Sequence, residues 1–372
     1  MLEGFLRIAD DLLDEGTSWN LSAYRDRFSP YADLSHITAA DSGDAWADPF
    51  YGHVYGEWIA QGGGFYGRTM DMPPWPMDEV ADLGFLRLPF ARIPRVRVRS
   101  HSHLTELIER VQATVPPDGK LLLRGQISEY ELGRPPQVLE ALYGDEQAVE
   151  PSLAPSASRA GIDINKIMPT WCGLLRWLLD MLPPLEPGED SRLRFHDWFT
   201  HYDFSRFALA IAQHYGLPSS GLDVTPSLEV ALFFALHRFT KIVERPGWAR
   251  YQRKVEWTKP SVIYAFVVPT KAHTIRYDAA RPDFFITRPL RQHAFFLCGG
   301  WGYAKNQSAT LLAVAMYLDD SYRAPELPTA AFLFPSADED PFAAALEAVP
   351  IIARRTPSLE PFLSHLYWIE HD

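Results

Sequence analysis

The chain has 372 residues, 47% of them hydrophobic and 22% charged, with 22 Phe, 16 Tyr and 11 Trp; this composition excludes a disordered chain and allows one extended domain or two. Thirty-five Lys and Arg against 47 Asp and Glu give a formal net charge of -12, which excludes long-range attraction of the whole molecule to nucleic acid or an anionic membrane but not a local basic pocket. Cys172 and Cys298 are the only cysteines, too few for a thiolate metal cluster or a secreted disulfide framework.

The opening MLEGFLRIADDLLDEG spaces its apolar residues as an amphipathic helix and carries Glu3, Asp10 and Asp11, unlike a signal peptide. No apolar run approaches the roughly 18 residues of a membrane span, so the expected location is the cytoplasm or an equivalent reducing space. Residues 1–100 read as largely irregular, and Gly62, Gly63 and Gly64 as a turn lacking both P-loop and dinucleotide spacing. In ARIPRVRVRS, Arg92, Arg95, Arg97 and Arg99 alternate with apolar residues, as on a strand with one solvent face. HLTELIERVQA then places Leu104, Leu107, Ile108 and Val111 on one helical face. After PPDG breaks that helix, a buried strand at 121–124 runs into Arg124, Gly125 and Gln126. A strand ending on a guanidinium, a residue without a side chain and an amide reads as the wall of a ligand pocket.

A helix is expected around 137–143, then a loose EPSLAPSASRAG segment. TWCGLLRWLLDM reads as an apolar helix closed by Pro183 and Pro184, and Asp190 to Asp197 as a charged connector. The next helix runs to about Tyr215 and stops at Gly216 and Pro218. Another is expected with Thr225 as N-cap and Pro226 at its first position. SVIYAFVVP at 261–269 reads as a strand, with another from about Gln292 to Cys298. Helices near 308–318 and 340–348 and a last strand in LYWIE complete an α+β fold, a mixed sheet with flanking helices. HSH at 101–103 lacks partners at metal-ligand spacing, and neither G-x-S-x-G nor H-E-x-x-H occurs.

Three stretches, LRGQ at 123–126, AQHYGLPSSGLDVTPSLEVALFFA at 212–235 and RPLRQHAFF at 288–296, resemble the FRG domain family, whose members carry an FRGQ-like strand end, an AQHYGLPT…LDWT…A…FA helix pair and a late R…AQ.G.F segment. Leu123 replaces the family's aromatic residue, and Ser220, Val224 and Ala294 stand where Arg, Trp and Gly are common. The loss of Arg at 220 removes an ionic partner. The motif order is also similar, more distantly, to the ADP-ribosyltransferase plan. These resemblances imply an irregular region 1–114 packed on the core, an FRG-like domain at 115–300, a segment 301–372 completing the core and, from the second of them, an ADP-ribosyltransferase-like core.

The function implied is an NAD-dependent ADP-ribosyltransferase-like or NAD-cleaving enzyme acting in antiphage defence or a toxin system, with NAD as substrate and no metal. Cleaving the nicotinamide–ribose bond develops oxocarbenium character on the ribose. Arg124 would hold phosphate or ribose oxygens through a forked contact, Gly125 would let backbone approach a flat ring, and Thr225 would bond the ribose. Gln292 stands where transferases of this plan often carry Glu; an amide orients a hydroxyl but cannot serve as a base. Glu229 or Asp223 would then supply the acid, unless activity is weak, altered or absent. The catalytic candidates are thus Arg124, Thr225, Gln292 and Glu229, with Gly125, Gln126, His214, Tyr215, Asp223 and Arg288 as ligand-binding candidates.

Each candidate also has a structural reading. Arg124 pairs with Asp223, Asp223 and Thr225 serve a turn and cap, His214 and Tyr215 end a helix, and Arg288 and Arg291 are solvated. Two rival functions stay open. One is a sensor that recognises a nucleotide or phage-derived ligand without turnover; the other is a nucleic-acid-processing enzyme, which would need a basic groove around Arg124. The expected partners are a nucleotide ligand and a protein or nucleic-acid target, without a membrane.

Overall fold

A computed structural model describes most of residues 80–349, residues 365–370 and four short strands before residue 57, while 182–201, 269–273, 277–285 and 299–305 lie outside the described residues. The four strands, β1 (Leu6–Arg7), β2 (Ala32–Asp33), β3 (Ala45–Asp48) and β4 (His53–Gly56), form one sheet. Leu6 and Arg7 therefore pair with Ala32 and Asp33 instead of continuing a helix. The rest of that expected helix, the Gly62–Gly64 turn and the Asp190–Asp197 connector lie outside the described residues.

The main body follows as β5 (Phe85–Leu88), β6 (Ala91–Arg97), α1 (His101–Gln112), β7 (Lys120–Gln126), α2 (Ser156–Arg159), α3 (Ile164–Met181) and α4 (Tyr202–His214). Next come β8 (Gly221–Val224), α5 (Leu228–Leu236), β9 (His237–Lys241), β10 (Trp248–Arg253), β11 (Ser261–Val268) and β12 (Thr274–Arg276). The chain continues through α6 (Thr287–Arg291), β13 (Phe295–Cys298), β14 (Leu312–Leu318), α7 (Ala330–Leu333), α8 (Pro341–Leu346) and β15 (Trp368–Ile369). Parallel and antiparallel pairs coexist, and the fold is α+β. No helix among the described residues is long and apolar enough to cross a membrane.

A five-stranded sheet, ordered β5-β6-β14-β11-β7, forms the centre. Its middle strands β11 and β14 are buried along their whole length, so both faces need apolar side chains. Phe266, Tyr264 and Tyr317 pack on one face, and Ile263, Ala265, Val314 and Met316 on the other. Burial of each large side chain contributes about 1.5–3 kcal/mol. The helix expected near 308–318 is instead a short 3-10 turn at Gln307–Leu311 followed by β14. A continuous apolar run has no period to separate a buried strand from a buried helix.

Strands β5 and β6 and helix α1, all before residue 114, belong to this body: β6 pairs with β14, and α1 buries Leu104, Leu107 and Val111. Along β6, Arg92, Arg97 and the following Arg99 are exposed as the alternation predicts. Arg95 turns inward instead, bonding Glu129 at 3.0 Å and Tyr317 at 3.1 Å.

Two smaller sheets, β12-β13-β8 and β15-β10-β9, flank the centre. The edge strand β7 meets the end of β8 at one isolated bridge, in which Leu123 N donates to Thr225 O at 2.7 Å and Thr225 N to Leu123 O at 2.9 Å. That bridge keeps Thr225 extended, so the expected N-cap moves two residues on. Ser227 caps α5 by accepting from Val230 N.

Candidate functional site

Where the pairing of β7 with β8 stops, a cavity of about 790 Å³ opens between the sheets. Arg124, Gly125 and Gln126 form one wall, and His214, Asp223, Thr225 and Gln292 also line it. Tyr215, Glu229 and Arg288 are not among the lining residues.

Arg124 Nη1 donates to the backbone carbonyl of Asp223 at 2.6 Å, so its hydrogen bond is to a peptide group and not to the expected carboxylate. Its Nε is buried with no hydrogen-bond partner among the described residues. Burial lowers the Arg124 pKa; the Asp223 charge opposes that shift and the Arg159 charge adds to it. Arg159 lines the same cavity, and desolvation lowers its pKa too. Arg124 and the exposed Arg159 thus bring two positive charges to one cavity, a setting that favours an anion. Gln126, 9% exposed, leaves its buried Oε1 without a hydrogen-bond partner among the described residues. Such orphaned groups cost about 1–3 kcal/mol each and point to a ligand or water.

Gly125 has a structural need of its own. A Cβ there would overlap the Ala231 carbonyl and stand 2.7 Å from Ala235 N, so the strand approaches the backbone of α5 closely. Because Leu123 bonds outward to Thr225, ladder alternation directs the peptide N–H and C=O of Gly125 to the same open edge.

Helix α4 ends at His214, and Gly216 turns the chain at φ +95°. His214 Nδ1 lies 3.6 Å from Asp223 Oδ1; the side chains are 2% and 29% exposed, respectively. The adjacent Tyr215 points elsewhere, donating from its hydroxyl to Asp340 Oδ2 at 2.6 Å. Arg288 N also donates to that oxygen, at 3.3 Å, while its guanidinium lies 4.5 Å from the Tyr215 ring centroid. Burial, then the Asp340 charge, pushes the Tyr215 hydroxyl well above its ordinary pKa. Asp340 Oδ1 accepts from Phe342 N and Ala343 N, capping α8. Tyr215 and Arg288 therefore build a buried clamp behind the cavity. Asp340, which completes it, went unnoticed in the sequence, although Asp before Pro at a helix start is a capping signal.

Thr225 and Gln292 reach the cavity already engaged. Thr225 Oγ1 donates to Gln292 O at 2.9 Å and accepts from Ser227 N at 3.1 Å. Gln292 Nε2 donates to Leu333 O at 2.9 Å. Gln292 caps the end of α6 and precedes β13; it does not begin a strand. Glu229 is exposed in the first turn of α5, where it accepts from Ser227 Oγ at 2.9 Å.

Facing the polar wall are Phe234, Phe239, Tyr251, Phe334 and Tyr367, the last four of which sequence reasoning missed because separate segments contribute them. Tyr251 stacks on Phe334 with centroids 4.7 Å apart, and Phe239 meets Tyr367 at 4.7 Å. Burial pushes the hydroxyls of Tyr251 and Tyr367 upward in pKa, and the Asp223 charge adds to both shifts. The carboxylates lining the cavity among the described residues are Asp223 and Glu131. No cluster of His, Cys, Asp and Glu suited to a metal occurs among the described residues.

No curated protein and no solved structure matches this chain. The family model of the FRG domain matches residues 186–242, a segment containing α4, β8 and α5; LRGQ and RPLRQ lie outside it. The elements carrying His214, Asp223 and the cover over Gly125 thus fall within the segment that matches the FRG domain.

Proposed function

We propose that this cleft binds NAD and cleaves its nicotinamide–ribose bond, passing the ADP-ribosyl group to water or another nucleophile. The observation that carries this reading is the pairing, within one cavity of about 790 Å³, of Arg124 and Arg159 with a facing aromatic wall. The volume suits a small-molecule site. The arginines offer forked donors to a diphosphate, the wall offers faces for a planar ring, and the edge peptide of Gly125 offers a donor and acceptor to a carboxamide. NAD consumption would also give the protein a route to act in antiphage defence or as a toxin.

A second reading is binding without turnover, favoured by the internal hydrogen bonds of Thr225 and Gln292. Purified protein is tested for nicotinamide release from NAD and for thermal shifts with NAD and ADP-ribose, beside folded Arg124→Ala. Release by wild type that is lost in the variant supports cleavage. An Arg124-dependent thermal shift without release supports the sensor, and neither release nor shift removes both readings.

A further inference from the structure

We infer that Asp223 is the carboxylate that stabilises the ribosyl cation and takes the proton of the attacking water, replacing the acidic residue that Gln292 cannot provide. This rests on the proposed cleavage of NAD. Gln292 carries an amide already held by Leu333, the Thr225 hydroxyl donates to Gln292 O, and Glu229 lies outside the cavity lining. Asp223 stands in that lining with its side chain 29% exposed.

Three features aim Asp223 at this task. Arg124 grips its peptide carbonyl at 2.6 Å, fixing the backbone while leaving that guanidinium bond off the carboxylate. His214 borders Oδ1 at 3.6 Å. The carboxylate charge also reaches Tyr251 and Tyr367 on the opposite wall. A cation formed between these walls would meet a negative charge on one side and aromatic faces on the other.

In the step, the bond from ribose C1′ to the pyridinium nitrogen breaks and its electron pair goes to nitrogen, releasing neutral nicotinamide. The cation at C1′ is captured by water, whose oxygen forms the new bond, and one proton passes to Asp223 and then to solvent. NAD and water thus give ADP-ribose, nicotinamide and a proton.

The test measures nicotinamide release and ADP-ribose affinity for full-length wild type, Asp223→Asn and Asp223→Glu, with melting temperatures for all three. In Asp223→Asn, kcat is expected to fall by about 100-fold or more, while the Kd for ADP-ribose stays within about threefold because its phosphates still meet Arg124 and Arg159. A folded Asp223→Asn variant with kcat within about threefold of wild type overturns the assignment and leaves NAD cleavage standing. If the amide variant does not fold, Asp223→Glu decides: displacement of the carboxylate lowers kcat by about tenfold or more, and unchanged kcat overturns the assignment. Wild type that binds ADP-ribose but releases no nicotinamide overturns both the assignment and NAD cleavage and leaves a binding cleft; wild type that does neither overturns the reading of the cleft as well.

Discussion

Asp223 and Asp340 neighbour His214 and Tyr215, respectively, at the end of α4, and their surroundings separate a cavity wall from a structural clamp. Asp340 is fully buried, with one oxygen on two amides of α8 and the other on Tyr215 and Arg288. Asp223 is partly exposed in the cavity, and Arg124 holds its peptide carbonyl. The neighbours His214 and Tyr215 divide in the same way, one toward the cavity and one toward the clamp. Motif membership alone therefore does not distinguish chemistry from architecture; how each polar atom is used does.

The largest test of this contrast is Asp340→Ala. It removes a cap and leaves the Tyr215 hydroxyl and Arg288 amide buried without their acceptor, so an unfolding free energy lower by about 3–5 kcal/mol is expected in urea titration. Asp223→Asn should cost less than about 1 kcal/mol in the same titration, since its side chain is partly solvated. Equal losses would break the division into wall and clamp.

Gly125→Ala probes the wall from behind. The new methyl overlaps the Ala231 carbonyl, so β7 or α5 must shift, at a cost of about 2–3 kcal/mol. Ligand affinity should fall with stability because Arg124 and Gln126 flank the displaced residue. A variant of wild-type stability would refute the close contact between strand and helix. A smaller effect is expected for Thr225→Val, which keeps the shape but loses the bond to Gln292 O, for about 1 kcal/mol. Its nicotinamide release should remain within about threefold of wild type; a loss near 100-fold would return Thr225 to the chemistry.

Legibility in the sequence followed periodicity and punctuation. Helix α1 emerged from its apolar spacing, the end of α4 from Gly216, and β11 from its β-branched and aromatic run. Strand β14 did not, because burial on both faces removes the alternation that marks a strand. At the site, Arg124, Gln126, His214 and Asp223 were legible as motif residues that reach one cavity. Nothing local revealed that Gly125 accommodates a helix or that Thr225 and Gln292 bond each other, since those facts arise from contacts across the fold. The aromatic wall was hidden for the same reason, with Phe234 and Tyr367 brought together from distant segments.

The smallest effect concerns the far end of β7, where Lys254 holds the residue following Gln126. Its Nζ donates to Ile127 O at 2.5 Å, Lys259 O at 2.7 Å and Ser261 Oγ at 3.1 Å. Burial, with a smaller contribution from the Arg238 charge, lowers its pKa from 10.5 to about 8. Between these values the unfolded chain holds a proton that the folded chain has released, so this group makes stability rise with pH across about 8 to 10.5. Below about 8, both states are protonated and the cost of burying the ammonium is fully present. The buried hydroxyls of Tyr264 and Tyr317 act oppositely above their ordinary pKa of 10, because the folded state retains protons that the unfolded state loses. Urea titrations of wild type and Lys254→Met at pH 7.5, 8.5 and 9.5 isolate the lysine, with the wild type expected to gain stability relative to the variant as pH rises. A constant difference would remove the shifted ammonium from the account, leaving Lys254 as a pH-independent anchor of the Ile127 peptide.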